Sequence, residues 1–268
     1  MRNCSNKKFG ICWKHMPASF WEWLTPQDSA SSTPRQNGNH FYSGGFLMTE
    51  NDYILYDRMT SYLKDRNVSF DEEGFPILPS SCYSRKEPES IVPWNHRNAA
   101  KDKENTALCF FMNDKLLYPR FNTIKEDAEK LISYSSFISM DVTVSRNMPV
   151  EVQEFNMRLN ALYSAVLALK RDGTYIPSLR CGGVSTLNHL NRYRNPPFVA
   201  FGMHGCFHSD DTNYDSFLLR SKLMMVWPGK ALLYGKPTKR DIEDLNDLGI
   251  PYRIYPDFRT SCKEKRHG

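Results

Sequence analysis

Apolar positions along the chain change rhythm near residue 106. Before it they are scattered and interrupted by Pro17, Pro26, Pro34, Pro76, Pro79, Pro88 and Pro93; after it, short apolar runs alternate with longer stretches of helical period. The short runs predict strands over Ala107–Met112, Phe137–Val142, Tyr175–Leu179, Phe198–Met203, Ala231–Tyr234 and Tyr252–Tyr255. The stretches between them predict helices over Ile124–Ser133, Val150–Lys170, Thr186–Tyr193, Asn213–Val226 and Lys239–Leu248. The helix from Val150 is the most regular, because Val152, Phe155, Leu159, Leu162, Val166 and Leu169 recur at alternating steps of three and four. Pro149 marks its start and Gly173 its end, as helix termini prefer.

Strand and helix in strict alternation imply parallel strands with right-handed crossovers. The fold class expected is therefore α/β, with parallel β/α repeats forming a partial or distorted TIM-like barrel; the alternative is an open doubly wound sheet. The short, similar runs favour the curled form. Two parts are expected: an irregular, aromatic-rich region over 1–105 and a β/α-repeat domain over 106–268. Within the first part only Asn51–Lys64 has a helical pattern, and Gln27–Gly45, rich in Ser, Asn and Gly, reads as a loop.

In parallel α/β folds ligands collect at the carboxyl ends of the strands. That rule selects Asn113 and Asp114, Asp141 with Thr143, Arg180 with Cys181 and Gly182, the segment His204–Asp211, Tyr234 with Gly235, and Asp257. Asp141 interrupts an apolar run, and a carboxylate at the end of a buried strand needs a partner or a task. A turn-capping carboxylate accounts for it as well as a general base or ligand anchor does. Asn156 and Arg158, early in the next helix, are candidates to meet an anion. His204, Cys206 and His208 alternate within a dense cluster, and with Cys181 they form a candidate set for a divalent metal, although H-x-C-x-H is not a usual zinc spacing. Asp141, His204 and His208 are the candidate catalytic groups; Thr143, Asn156, Arg158, Arg180 and Tyr234 the candidate ligand-binding ones. The Gly182–Gly183 pair offers backbone amides to a phosphate, but a tight turn explains it better. Cys4, Cys12 and His15, with Cys82, make a weaker zinc set, and the aromatic run Phe20–Leu24 is read as packing before stacking. No Gly-x-Ser-x-Gly elbow supports serine-hydrolase chemistry.

Composition narrows the classes. No run approaches the roughly 18 apolar residues of a spanning helix, and the first residues lack an apolar leader core, so a cytoplasmic protein with no membrane partner is expected. The seven scattered cysteines fit reduced thiols. Residues 1–105 carry 13 basic and 13 acidic groups, so the net charge of +5 falls entirely in the rest of the chain. That excess favours anionic partners, nucleotides or nucleic acid, without the density of a basic stripe.

Several motifs recur together: Cys109-Phe-Phe-Met112, Ser139-Met-Asp-Val-Thr143, Asn147-Met-Pro149 with Gln153 and Asn156, Gly173 with Ile176-Pro177, and Pro228 with Leu233-Tyr-Gly235. Over about Ala107–Phe258 the chain resembles a family of uncharacterised proteins of bacteria, phages and mobile elements, a domain of unknown function. The resemblance implies shared positions at Asp141, Thr143 (for the family's serine), Gln153, Asn156, Pro177, Tyr234 and Gly235. Met140, Cys181, Gly202 and Met203 depart from it, as does Leu159, where the family places an arginine; Arg158 stands one position off, turned by about 100° on the helix. The function expected is a phage or mobile-element protein binding an anionic ligand at the strand ends. A metal-dependent hydrolase or lyase, and a non-enzymatic protein binding a host factor, are the alternatives.

Overall fold

The computed structural model describes residues 50–193, 195–203 and 212–267. The loops and motifs expected within 1–49, together with His204, Cys206 and His208, lie outside the described residues.

The chain opens on helix α1 (Glu50–Lys64) and a two-stranded antiparallel hairpin, β1 (Ser69–Phe70) with β2 (Pro76–Ile77). Then come β3 (Ser90–Pro93), β4 (Thr106–Cys109), α2 (Asp114–Phe121), α3 (Ile124–Leu131), β5 (Ser136–Ile138), α4 (Val150–Ala168) and β6 (Tyr175–Ile176). After the 3₁₀ turns Val184–Tyr193 follow β7 (Phe198–Gly202), α5 (Thr212–Val226), β8 (Lys230–Tyr234), α6 (Lys239–Asp247), β9 (Tyr252–Tyr255) and α7 (Phe258–His267). No helix among the described residues is long and apolar enough to cross a membrane.

The architecture is mixed α/β with parallel sheets. Strands β3-β4-β5-β6 form one sheet and β7-β8-β9 a second, each in chain order, as successive helical crossovers require. A single parallel bridge, Ser178 to Ala200, spans the two, and the Ala200 amide donates to Pro177 O at 2.9 Å. Among the described residues the ladders do not close into a ring. Both faces are apolar, as expected of parallel strands covered on both sides. One face gathers Ile91, Ala107, Cys109, Ile138, Ile176, Ala200, Leu232, Tyr234 and Tyr255, drawn from all seven parallel strands. The alternate residues Leu108, Phe137, Tyr175, Val199, Phe201, Ala231 and Leu233 join the larger core beneath the helices.

Several details differ from the sequence reading, among them β4, which ends at Cys109 and not at Met112, and Thr186–Tyr193, which forms 3₁₀ turns and not an α-helix. The sheet begins at Ser90, inside the region expected to be irregular, because Ser90–Pro93 pairs residue by residue with Thr106–Cys109. The strands expected over Phe137–Val142 and Tyr175–Leu179 leave their ladders at Ile138 and Ile176, although Met140, Val142 and Leu179 remain buried. Apolar runs report burial, which here outlasts strand pairing. Helix α2, with Pro119 inside it, had no periodic signal; Asn113 caps it by accepting the Lys115 amide at 3.0 Å.

Helix α4 is buried almost all round: 15 of its 19 residues are buried. Polar side chains are therefore forced into its interior faces, and they must find partners there. Asn156, Asn160 and Ser164 stand four residues apart on one line of the helix, and that line faces the segment that carries Asp141.

Candidate functional site

Beyond Ser139, whose amide still donates to Ile176 O at 3.1 Å, the chain leaves the β6 ladder and α4 side chains take over its backbone groups. Ser164 Oγ accepts the Met140 amide at 2.9 Å. Asn160 accepts the Val142 amide at 2.8 Å through Oδ1 and donates Nδ2 to Val142 O at 3.0 Å, so one side chain satisfies both backbone groups of one residue. Asn156 Nδ2 donates to Thr143 O at 2.9 Å. On the β6 side, Ser139 Oγ accepts the Ser178 amide at 2.9 Å. The extended segment 139–143 is thus held in place chiefly by side chains.

That scaffold presents Asp141, 4% exposed, to Arg180. Arg180 Nε donates to Asp141 Oδ1 at 2.7 Å and its Nη2 to Oδ2, a two-point pairing that fixes the guanidinium plane. The Arg180 side chain keeps 23% of its surface exposed. Asp114, at the carboxyl end of β4, accepts from both the amide (3.1 Å) and hydroxyl (3.0 Å) of Thr143. Burial raises its pKa and the Thr143 hydrogen bonds oppose the rise, with Asp141 and Arg180 acting in opposite directions.

Lys222, from α5, completes the cluster. It is buried beside Cys181, Arg180 and Asp141, and the loss of hydration holds its pKa below the usual lysine value, against the pull of Cys181 and Asp141. Cys109 lies on the β4 face that gathers with Ile91, Ile138 and Tyr234; burial, with Asp141 nearby, pushes its thiol up to about 12. Gly182 follows Cys181 in a crowded place: a Cβ there would stand 2.0 Å from Gln153 Oε1, so the Gln153 side chain would have to shift. Gln153 itself donates to Met148 O at 2.8 Å and accepts from Thr186 Oγ1 at 3.2 Å. The Gly182 amide donates to Thr186 Oγ1 at 3.1 Å, so it caps a turn, the simpler of the two readings of the glycine pair.

The structure brings Asp141, Thr143, Asn156 and Arg180 together at one end of the first sheet. Arg158 is elsewhere: its Nη1 donates to Glu73 O at 3.1 Å and its Nη2 meets Glu154 at 3.4 Å, against the β1–β2 hairpin. Tyr234 is buried in the same cluster as Cys109, with its hydroxyl accepting the Phe258 amide at 2.9 Å. Of the metal set only Cys181 is described, and among the described residues no three His, Cys, Asp or Glu groups stand where they could hold a metal ion. Sequence reading missed Lys222, Asn160 and Ser164. Lys222 left a signal, since it falls on the buried stripe Ser216, Leu219, Leu223, Val226 of α5.

No solved structure matches the chain. Residues 70–253 match a family described as a domain of unknown function (DUF4417), a span that takes in the hairpin but for Ser69, all of the parallel strands but the last two residues of β9, and every residue of the Asp141–Arg180–Lys222 cluster. The chain belongs to that family.

Proposed function

We propose that the strand-end cluster binds an anionic ligand, a nucleotide or nucleic acid, with Arg180 as the group that meets it and Lys222 as a second cation beneath. The observation that carries this reading is the state of Arg180: clamped at two points by a buried carboxylate, yet partly exposed at the carboxyl end of a parallel strand, where α/β folds collect ligands. A guanidinium already fixed in plane loses little rotamer freedom on meeting a phosphate. The concentration of the +5 charge after residue 105 supports the same sign of ligand. Asn156 and Thr143 act on this reading by holding the segment, not by touching the ligand. The apolar cluster drawn from every parallel strand supports a sheet that curls toward a partial barrel with the site at its rim. The family resemblance supports a phage or mobile-element setting.

The test is titration of a nucleotide panel and short single-stranded oligonucleotides, at two salt concentrations, against the wild type and the double variant Asp141→Asn/Arg180→Gln. The double variant removes both charges of the ion pair and keeps polar groups in their place, so neither partner is left as a charge without the other. Its affinity falls at least about tenfold, while Arg158→Ala, remote from the cluster, binds as the wild type does. If no member of the panel saturates the wild type, or if the double variant binds equally well, the reading fails.

A further inference from the structure

The seam between the first and last strands carries a flat aromatic surface at its carboxyl end. The turn after β3, Trp94–Ala99, is anchored from within: Trp94 is buried with its indole stacked on Phe110 (centroids 5.6 Å apart), and Tyr134 donates its hydroxyl to Arg97 O at 2.8 Å. Between these anchors the backbone leaves helical angles at His96 (φ −112°, ψ 15°), which is exposed. Its imidazole lies on Phe258, the first residue of α7, with centroids 3.9 Å apart and planes within 11° of parallel. Phe258 is fixed in turn, since its amide donates to the Tyr234 hydroxyl at the end of β8. Aromatic pairs usually settle offset or edge-on, with centroids roughly 4.5–7 Å apart. An exposed ring held face to face on a second one is a rigid, solvent-facing plane.

Two cations flank it. Gly235 donates its amide to Tyr255 O at 2.8 Å, which sets Lys236, just past β8, beside the connection from β9 to α7 that carries Arg259. Both side chains are exposed, and among the described residues no ion pair engages either. The amides that open α7 are taken, because Asp257 accepts from Arg259 N at 2.8 Å and Thr260 N at 3.0 Å, so positive charge is offered by the side chains. Strand spacing of about 4.8 Å puts these cations within reach of the phosphates on either side of a base stacked on the plane. Single strands present their bases in that way, whereas a duplex keeps its base faces buried in its own stack. We propose that the His96–Phe258 surface is a stacking platform for one base of single-stranded nucleic acid, with Lys236 and Arg259 on the adjoining phosphates. The platform draws on the ends of β3, β8 and β9 and does not rest on the reading of Arg180, whose cluster follows β5 and β6.

The test uses the full chain and two labelled strands of equal length, an oligothymidylate and a base-less deoxyribose-phosphate strand, followed by fluorescence anisotropy. The wild type binds the oligothymidylate about tenfold more tightly. His96→Ala loses that preference and still binds the base-less strand as the wild type does, while His96→Phe, which keeps a ring on Phe258, retains it. Lys236→Gln/Arg259→Gln weakens both strands and flattens the dependence of log affinity on log salt by about 1.4. A role of His96 in packing alone would lower the melting temperature of His96→Ala and leave the preference for bases untouched. The proposal is overturned if the wild type saturates with neither strand, binds both equally, or keeps its preference in His96→Ala. In Asp141→Asn/Arg180→Gln the preference persists whatever becomes of total affinity; its loss there, with His96→Ala unaffected, also overturns the platform.

Discussion

In the second sheet every residue of β8, Lys230–Tyr234, faces a partner in β7, and four of the five face one in β9 as well. In the first sheet β5 pairs over two residues with each neighbour, and the chain beyond is carried by Ser164, Asn160 and Asn156 of α4. The second arrangement is self-sufficient backbone; the first substitutes a helix for a missing strand. The difference teaches where a buried charge can be seated. Freed of its ladder, the segment after Ile138 can turn Asp141 toward Arg180 without breaking strand pairing.

The sharpest way to break that comparison is to remove the helix's substitute. Asn160→Leu keeps the volume nearly constant but strands the amide and carbonyl of Val142, and it is expected to cost about 4 kcal/mol in urea unfolding. Ser216→Ala, in the helix over the second sheet, removes only the acceptor of an Arg240 hydrogen bond and costs about 1 kcal/mol. Equal losses in the two variants would erase the distinction between the halves.

Next in size is a pH effect confined to the first half. Asp127 of α3 is fully buried, accepting from Tyr163 at 2.6 Å and Arg120 at 2.9 Å, yet burial outweighs both partners and raises its pKa to about 6. An acid whose folded pKa exceeds its unfolded one stabilises the fold fully below the unfolded value, near 3.8, and loses that contribution as pH rises through about 6. The loss is on the order of 3 kcal/mol. Unfolding midpoints measured from pH 4 to 7 should fall for the wild type and flatten in Asp127→Asn; parallel profiles would refute the assignment.

The smallest contrast sets two glycines against each other. Gly182→Ala drives a methyl into Gln153 and costs about 2 kcal/mol, with the Thr186 contacts disturbed. Gly249→Ala meets no atom within 4 Å, and only its φ of +65° resists, at about 1 kcal/mol. Thermal melts of the pair decide whether packing or backbone conformation dominates in each half.

The same contrast explains what the sequence could tell. In β9 and β8 the apolar run and the ladder nearly coincide, so their limits were legible to within a residue. Past Ile138 they separate, since Met140 and Val142 are buried against α4, and hydrophobicity counts burial where the strand has already ended. Asp141 was legible because a charge inside an apolar run is conspicuous, and Arg180 because strand ends are a short list. Asn160 and Ser164 were not, because periodicity is read from apolar positions and these form a polar column inside a helix that is buried almost all round. Strand β3 had no signal in four residues that end on a proline.

Glu87, just ahead of β3, meets Lys230 at 2.6 Å and Arg253 at 3.2 Å, partners 143 and 166 positions along the chain, while Tyr255 donates to Pro88 O at 2.7 Å. Most other pairings in the parallel sheets join neighbouring repeats and close short loops. These few must wait for nearly the whole chain to be in place, and closing so long a loop has the largest entropic cost. The junction of first and last strands is therefore expected to form late and open early, which hydrogen exchange at Ser90 and Tyr252 would register as protection weaker than at β4 or β8.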